Sequence, residues 1–257
     1  ALDKRFNEDG FRMLNLASAA LMDEQFDAAI KALQYVVDKG NKSPYQTEAQ
    51  GRLLQVGMLK IVKSKIYTQQ DLIQLEQSFQ SYLNRFGITA TTASQVKDLA
   101  MLQAKYLGKT DSAISLLQTV MNIPSVNRTL KNEIKIDLGD YYIFQGDFWE
   151  STLLYSQVDK DEKDGPIGEL ARFKNAKLSY YKGEFEWSQA QLNVLKGSTS
   201  ELIANDALQL SVFILDNLGM DSITLPLEIF ASAELLYFQN KLPLVYDKLD
   251  SIDRYFP

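Results

Sequence analysis

Two short segments of the sequence carry residue types that could do chemistry, and the first of them resembles a calcium-binding loop. Residues 159–165 are rich in carboxylates and end in a glycine, and a calcium loop needs several oxygen ligands followed by a glycine. An EF-hand loop also needs an oxygen ligand at its fifth position and a glutamate at its twelfth. Lys163 and Leu170 occupy those positions, and Gly165 comes one residue late. We therefore expect a solvated turn and no metal site.

The second segment, Glu150 followed by Ser151, suggests the active site of a lytic transglycosylase. Such an all-α enzyme uses one buried glutamate as both acid and base and needs no histidine. Ser151, however, also fits the place of a small residue at a helix–helix contact, and that placement turns Glu150 toward solvent. A two-residue match is expected about once by chance in a chain of this length. We therefore expect no catalytic residue here.

The sequence contains no cysteine and no histidine. Their absence excludes thiol nucleophiles, zinc and haem sites built on these side chains, and any mechanism with imidazole as the base. The glycine-rich patterns of phosphate-binding loops, GxxxxGK[ST] and GxGxxG, are also missing. We therefore expect no metal, no cofactor and no enzymatic activity.

Composition and charge narrow the class of protein further. Of the 257 residues, 46% are hydrophobic and 23% are charged, which is typical of a globular protein. No run of eighteen apolar residues occurs, so we expect no membrane insertion. Residues 1–128 carry 15 basic and 12 acidic side chains, whereas residues 129–257 carry 12 and 21. Such an acidic second half repels phosphate backbones, and we expect no nucleic-acid binding.

One pattern recurs along the chain and predicts how it folds. A turn residue is followed two positions later by a mostly aromatic residue, five positions later by alanine or serine, and nine positions later by a large apolar residue. The four turn residues are Glu24, Gly108, Gly146 and Gly183. Successive steps are 38 and 37 residues, and the first step of 84 fits two units of 42.

Apolar residues between the turns repeat with a period of 3.6, which predicts helices on both sides of each turn. A glycine at the turn tolerates the left-handed backbone that ends the first helix, and a small residue lets two helices approach closely. Pro44, Pro124 and Pro166 fall between units, where proline stops one helix or starts the next. The pattern therefore predicts an all-α chain of stacked helical hairpins.

The hairpin around Gly146 resembles a tetratricopeptide repeat (TPR). Leu138-Gly139, Tyr142, Phe148 and Tyr155 lie at the spacing of that motif, with Ser151 where the family has alanine. The segment 171–206 also resembles exported repeat proteins of the Bacteroides group. The resemblance implies an α-α superhelix, that is, a TPR-like helical-hairpin solenoid, and it implies a place in the cell envelope or periplasm. The chain begins at Ala1 and not at a methionine, so we expect any signal segment to have been removed already.

We interpret the chain as a single helical-repeat domain over residues 1–257. The predicted units are residues 7–40, 44–87, 92–125, 130–162, 166–197 and 201–240, followed by a terminal helix at 243–256. This last helix is apolar around much of its circumference, whereas a terminal helix with one neighbour should be polar on its outer side. We therefore expect the natural chain to continue past Pro257 with further repeats, as a fragment of a longer chain would.

The fold class predicts a non-catalytic scaffold that binds a peptide or partner protein on its concave face, which the first helix of each unit lines. Aromatic and acidic side chains alternate there, which suits a partner carrying Lys or Arg. Two alternatives stay open, a carboxylate-dependent glycan-cleaving enzyme of the cell envelope and a structural spacer or oligomerisation arm; the oligomeric state is likewise open. The predicted partner-binding residues are Tyr106, Glu133, Ile136, Asp140, Phe144, Phe173, Lys177, Tyr180, Tyr181 and Phe213.

Overall fold

The structure, a computed structural model, describes residues 9–163, 165–218 and 224–255. These residues form thirteen α-helices and one short 3-10 helix, Gly40–Lys42, and they contain no strand. Residues 7–8, Asp164 and Phe256, which the sequence places in the first unit, the acidic segment and the terminal helix, lie outside them. The helices are α1 Phe11–Met22, α2 Phe26–Asp38, α3 Gln46–Ser64, α4 Gln69–Phe86, α5 Ala93–Tyr106, α6 Thr110–Met121, α7 Arg128–Gln145, α8 Phe148–Asp161, α9 Pro166–Tyr181, α10 Phe185–Leu195, α11 Glu201–Asn217, α12 Leu225–Phe238 and α13 Leu242–Tyr255.

The chain divides into two compact units, residues 1–130 and residues 131–257. Unit 1 contains α1 to α6, and unit 2 contains α8 to α13 with nearly all of α7. The division coincides with the change in charge, because residues 129 and 130 are uncharged and the two units carry net charges of +3 and −9. Among the described helices, none combines the length and the apolar character that crossing a bilayer requires.

The hairpin turns have the geometry that the repeated pattern predicts. All four turn residues have a positive φ, from 54° at Glu24 to 87° at Gly146. At Gly146 the backbone N–H donates to the carbonyl of Ile143 at 3.0 Å, and the next N–H donates to the carbonyl of Tyr142 at 2.9 Å. These bonds satisfy carbonyls at the end of α7 that have no partner within the helix. Glycine is favoured because the left-handed backbone costs it nothing.

The turns before α4 and before α13 have positive φ without glycine. Lys65 has φ 55° and Asn240 has φ 59°. At Asn240 the N–H donates to the carbonyl of Tyr237 and the next N–H donates to the carbonyl of Leu236, both at 2.9 Å. This repeats the bonding at Gly146, so α12 and α13 are joined by the same kind of turn as α7 and α8.

Small residues let the two helices of a hairpin touch. The Ser151 hydroxyl donates to the backbone carbonyl of Gly139 at 2.8 Å, and the Ser188 hydroxyl donates to the carbonyl of Ala176 at the same distance. A Cβ at Gly139 would lie only 2.4 Å from a ring carbon of Tyr155. Glycine is therefore required at position 139, since no real Cβ contact is that short.

The core follows the same register in both units. Two residues in each of the four hairpins are 0% exposed: the small residue five positions after the turn and the large residue nine positions after the turn. Burying a leucine side chain contributes about 1.5–3 kcal/mol, so these positions are a main source of stability. The predicted repeat pattern is confirmed; its large residues are Leu33, Leu117, Tyr155 and Leu192, and its small ones are Ala29, Ala113, Ser151 and Ser188.

Candidate partner-binding surfaces

Nine of the ten residues predicted to bind a partner lie in unit 2, and Tyr106 alone lies in unit 1. The nine residues in unit 2 lie on helices α7, α9 and α11. Four of the nine are buried and five are half-buried. The buried ones are Ile136, Asp140, Tyr180 and Tyr181, and the half-buried ones are Glu133, Phe144, Phe173, Lys177 and Phe213.

Helix α12 covers much of this predicted face in unit 2. The ring centroid of Phe238 on α12 lies 5.3 Å from that of Phe144 on α7 and 6.3 Å from that of Tyr181 on α9. The amide of Gln239, one residue after α12, donates to the backbone carbonyl of Ile143 at 2.7 Å. The structure therefore brings these predicted residues together, but a helix of the same chain occupies the space in front of them.

Two further contacts extend this covered region toward α11. Phe230 of α12 lies 5.4 Å from Phe213 of α11, measured between ring centroids. Phe213 in turn makes an edge-on contact with Tyr180 at 6.4 Å. Aromatic pairs at such distances contribute about 0.5–1.5 kcal/mol each beyond the area they bury. The aromatic residues of α9 and α11 thus form a core with α12.

Asp140 is engaged inside this core. Its side chain accepts hydrogen bonds from the Lys174 ammonium at 2.8 and 2.9 Å and from the Tyr155 hydroxyl at 2.7 Å. Asp140 is only 4% exposed. Burial raises the pKa of Tyr155 well above its ordinary value, and the negative charge of Asp140 adds to this effect. Asp140 and Lys174 therefore form an ion pair that stabilises the fold, and the Asp140 carboxylate already has a cationic partner within the chain.

The two tyrosines at the end of α9 keep their phenolic protons at physiological pH, because the pKa of each is raised above its ordinary value. Burial raises the pKa of Tyr180, and the nearby carboxylate of Glu234 on α12 raises it further. Burial likewise raises the pKa of Tyr181, with a smaller contribution from Glu234. The Lys177 ammonium lies 5.6 Å from the centre of the Tyr181 ring, within the range of a cation–π contact.

Unit 1 has a different surface on its first helices. We define the first-helix surface of unit 1 by side chains of α1, α3 and α5 that form one polar row across the three helices. The Arg52 guanidinium pairs with Glu48 at 2.9 Å and donates to the Ser18 hydroxyl at 3.2 Å, and the Gln55 amide donates to the Ser94 hydroxyl at 3.4 Å. These five residues are half-buried or exposed.

A cavity of about 620 Å³ opens beside this row. Besides residues of the row, its walls include the rings of Tyr82 and Phe86 at the end of α4, whose centroids lie 4.7 Å apart, and the amide of Gln95. Gly51 lets Tyr82 and Gln95 pack close against α3, because a Cβ there would lie 3.0 Å from the Tyr82 hydroxyl and 3.1 Å from the Gln95 amide nitrogen. Burial raises the pKa of Tyr82, so its hydroxyl keeps its proton.

Tyr106 lies at the other end of α5. Its ring makes an edge-on contact with Tyr67 at a centroid distance of 5.6 Å. Tyr106 is the last residue of α5, and Tyr67 lies in the turn between α3 and α4. Burial raises the pKa of Tyr106. The structure therefore places this predicted residue at the rim of unit 1.

The buried glutamates among the described residues, Glu76 and Glu169, accept hydrogen bonds from nearby donors. Glu76 accepts hydrogen bonds from the Lys109 ammonium at 2.7 and 2.8 Å and from the Gln103 amide at 3.0 Å. Burial opposes the ionisation of Glu169, but the backbone N–H groups of Thr199 and Ser200 donate to it and keep its pKa below the ordinary value. An acid–base glutamate of a glycan-cleaving enzyme needs the opposite, a raised pKa.

The two segments singled out for chemistry have structural partners. Ser151 is fully buried and bonded to Gly139. In the acidic segment, Asp159 accepts from Arg172 at 3.2 Å, and Glu162 accepts from the Asn132 amide at 3.0 Å. Within residues 9–163, 165–218 and 224–255, no three carboxylate side chains are grouped so that they could hold a metal ion.

Similar folds are known among TPR proteins. A TPR protein from Parabacteroides merdae matches with a TM-score of 0.55 and 12% identity, covering 97% of this chain and 94% of that one. Two structures of putative kinesin light chain TPR-like repeats from Podospora anserina match with TM-scores of 0.59 and 0.57, each at 16% identity. They cover 77% and 72% of this chain and 95% and 92% of theirs.

The sequence itself matches no family model and no curated protein. At these identities the structural similarity establishes the fold. The chain has the all-α fold of TPR helical-hairpin solenoids, as the sequence predicts, and the Parabacteroides protein agrees with the expected likeness to repeat proteins of the Bacteroides group.

Proposed function

We propose that this chain is a non-catalytic scaffold that binds an extended segment of a partner protein on the first-helix surface of unit 1. The observation that carries this proposal is the cavity of about 620 Å³ beside a polar row from three successive first helices. Sites for extended segments need donors and acceptors spaced along a groove, and such segments are commonly recognised through their backbone groups.

The chemistry of the cavity suits a peptide backbone. The amides of Gln55 and Gln95 and the hydroxyl of Ser94 can each donate and accept. Gln55 donates to Ser94 at 3.4 Å and Ser94 donates to Gln95 at 3.2 Å, so a peptide backbone would exchange with these long bonds. When a peptide binds, each of its polar groups that loses its hydrogen bonds to water must find a partner in the site, because a buried group left without one costs about 1–3 kcal/mol. The rings of Tyr82 and Phe86 supply an apolar wall for one side chain of the segment.

A preference for a partner carrying Lys or Arg would have to come from individual acidic residues. Unit 1 has a net charge of +3, so its overall field does not attract cations. Glu48 is half exposed and lines the cavity beside Arg52. A basic side chain of the partner would compete with Arg52 for the Glu48 carboxylate, and such an exposed pair is worth at most about 1 kcal/mol.

We further propose that the nine predicted residues in unit 2 support the scaffold rather than meet the partner. Their neighbours on α12 fill the space that a bound segment would need, as the 5.3 Å contact between Phe144 and Phe238 illustrates. Tyr106 remains at the rim of unit 1, where a long partner segment would reach it.

The test is selection of peptides from a displayed random library on the purified chain, followed by affinity measurements on variants. We expect Arg52→Ala and Gln55→Ala each to weaken a selected peptide about tenfold, since each removes one or two hydrogen bonds at the site. Arg254→Ala on α13 is the matched control, because it removes an exposed cation from unit 2. Failure to select any peptide, or equal binding by all three variants and the parent, would contradict the proposal.

A further inference from the structure

Helix α13 has the register of a second helix in a repeat hairpin. Counted from the turn at Asn240, the small residue Ala233 lies seven positions earlier, where the hairpins of unit 2 have Gly139 and Ala176. Ala233 is buried like them, and Leu249 lies nine positions after the turn. The hairpin of α12 and α13 therefore has the same internal packing frame as the hairpins before it.

The outer side of α13 differs from every equivalent helix that follows one of the four turns predicted from the sequence. The residue nine positions after those turns is 0% exposed, whereas Leu249 is 36% exposed and Tyr246, six positions after its turn, is 69% exposed. In α10 the residue six positions after the turn, Gln189, exchanges hydrogen bonds of 2.7 Å with Ser211 on the following helix α11. Tyr246 thus lies where a following helix packs elsewhere in the chain, and Leu249, one helical turn away, is left partly exposed beside it.

Helix α1 shows the other half of the same interface. The positions twelve, eight and five residues before a turn face the preceding hairpin; in α9, for example, the Asn175 amide at the middle position donates to Ser156 on α8 at 3.1 Å. In α1 all three positions are exposed, and Leu16 at the middle one is 53% exposed, whereas Leu138 in α7 is buried. The exposed residues of α1 at these positions are Arg12, Leu16 and Ala19.

We infer that α13 of one copy of this chain docks against α1 of a second copy, head to tail. Tyr246 and Leu249 of one copy would pack on Leu16 of the next, which continues the packing by which α9 covers α8 and α11 covers α10. This interface involves neither the cavity of unit 1 nor its polar row. Self-association and the proposed peptide binding can therefore be tested independently.

Charge favours this pairing over the pairing of like ends. The α13 end belongs to the unit with net charge −9, and the α1 end belongs to the unit with net charge +3. Asp247 and Asp250 are exposed beside the apolar residues of α13, whereas α1 contains no acidic residue. Two α13 ends would repel each other, whereas α13 and α1 attract, and added salt weakens that attraction.

A head-to-tail interface joins two different patches, so each copy keeps one patch for a further neighbour and assembly continues in steps. The average mass measured by light scattering is therefore expected to rise with protein concentration from that of the 29.1 kDa chain toward higher multiples. The rise should be smaller at high salt.

The decisive experiment uses two blocking variants and their mixture. Leu16→Asp blocks the α1 end and Tyr246→Asp blocks the α13 end; both residues are more than half exposed, so neither change leaves a cavity in the core. Each variant alone should stay at one chain mass at concentrations where the parent assembles. An equimolar mixture should form 1:1 pairs and nothing larger, because each variant retains the one patch that the other lacks.

The matched control is Val194→Asp, which places the same charge on an exposed apolar position of α10 and should assemble like the parent. A parent chain that keeps a single mass at all concentrations would overturn the inference. So would assembly that survives either blocking variant, or a mixture that stays monomeric. Capture of a basic helical peptide by α13 without self-association would instead show that a foreign helix occupies this surface.

Discussion

The residue two positions before each hairpin turn behaves differently in the two units. In unit 2 this position is aromatic in three hairpins, and Phe144, Tyr181 and Phe238 pack their rings together. In unit 1 the same position carries Met22, which is 85% exposed, Lys63, which pairs with Glu24 at 3.1 Å, and Tyr106. One repeat position therefore closes the first-helix side of unit 2 and leaves that of unit 1 accessible.

The comparison shows that one set of residues joins the two helices of each hairpin, and that a different residue decides whether the first-helix surface is covered or accessible. Small residues and the large residue nine positions after the turn are buried in both units, because they join the two helices of a hairpin. The position two residues before the turn instead differs in residue type between the units, as Met22 and Lys63 in unit 1 and Phe144 and Tyr181 in unit 2 show. Aromatic side chains there draw first helices together, since burial of an aromatic ring contributes more than burial of most side chains.

The largest effect is expected from Phe238→Ala. Loss of this ring should destabilise unit 2 by about 3 kcal/mol, because a cavity forms between Phe144 and Tyr181. Both tryptophans of the chain, Trp149 and Trp187, lie in unit 2, so their fluorescence during urea unfolding reports on that unit. Phe11→Ala is the control, because Phe11 is about half exposed on α1 and its loss should leave the tryptophan transition unchanged. An unchanged transition in Phe238→Ala would show that the aromatic cluster does not hold unit 2 together.

A smaller effect, and a difference between the units, is expected when each buried carboxylate loses its lysine. Lys174→Met leaves Asp140 buried without its cation and should cost about 2 kcal/mol, less than for a fully buried pair because the Lys174 side chain is 24% exposed. Lys109→Met does the same to Glu76, but Lys109 is nearly half exposed, so water replaces much of the lost interaction and about 1 kcal/mol is expected. Thermal unfolding followed by circular dichroism measures both losses. Equal losses would contradict the view that the Lys174–Asp140 pair of unit 2 is more shielded from water than the Lys109–Glu76 pair of unit 1.

The hairpins could be predicted from sequence because their signals are local. Gly146 and Gly183 mark turns, and serine or alanine five residues later marks the helix contact. The turn at Lys65 gave no such signal, since a lysine there reaches positive φ without glycine, and α4 begins only at Gln69, after the reciprocal cap between Thr68 and Asp71. The repeated pattern of turn, small and large residues therefore does not mark this turn.

The covering of the predicted face in unit 2 could not be read from the sequence. Helical spacing correctly places Ile136, Asp140 and Phe144 on one side of α7, but the position of α12 depends on contacts almost a hundred residues away, such as that between Gln239 and Ile143. The polar cavity in unit 1 was also missed, because its residues come from α3, α4 and α5 and share no motif. Gly51 inside a predicted helix was the one available signal of a close approach.

The smallest expected effect is a pH-dependent one at the start of α11. The pKa of Glu169 lies below its ordinary value of 4.5 because Thr199 and Ser200 donate to the ionised form. A lowered pKa stabilises the fold fully above the ordinary value, and that contribution is lost as the pH falls through the folded value. Glu169→Gln should therefore lower the melting temperature at pH 7 and have little effect at pH 3. A variant that loses as much stability at pH 3 as at pH 7 would show that the charge of Glu169 is unimportant.

The most direct test of the difference between the units is thiol reactivity at the equivalent position in each. The chain has no cysteine, so Met22→Cys in unit 1 and Tyr181→Cys in unit 2 each introduce a single thiol two residues before a turn. With a small neutral thiol reagent, Met22→Cys should react at least about tenfold faster, because reaction in unit 2 requires α12 to open. Adding Phe238→Ala to Tyr181→Cys should remove most of that protection. Equal rates in the two single-cysteine chains would contradict the account.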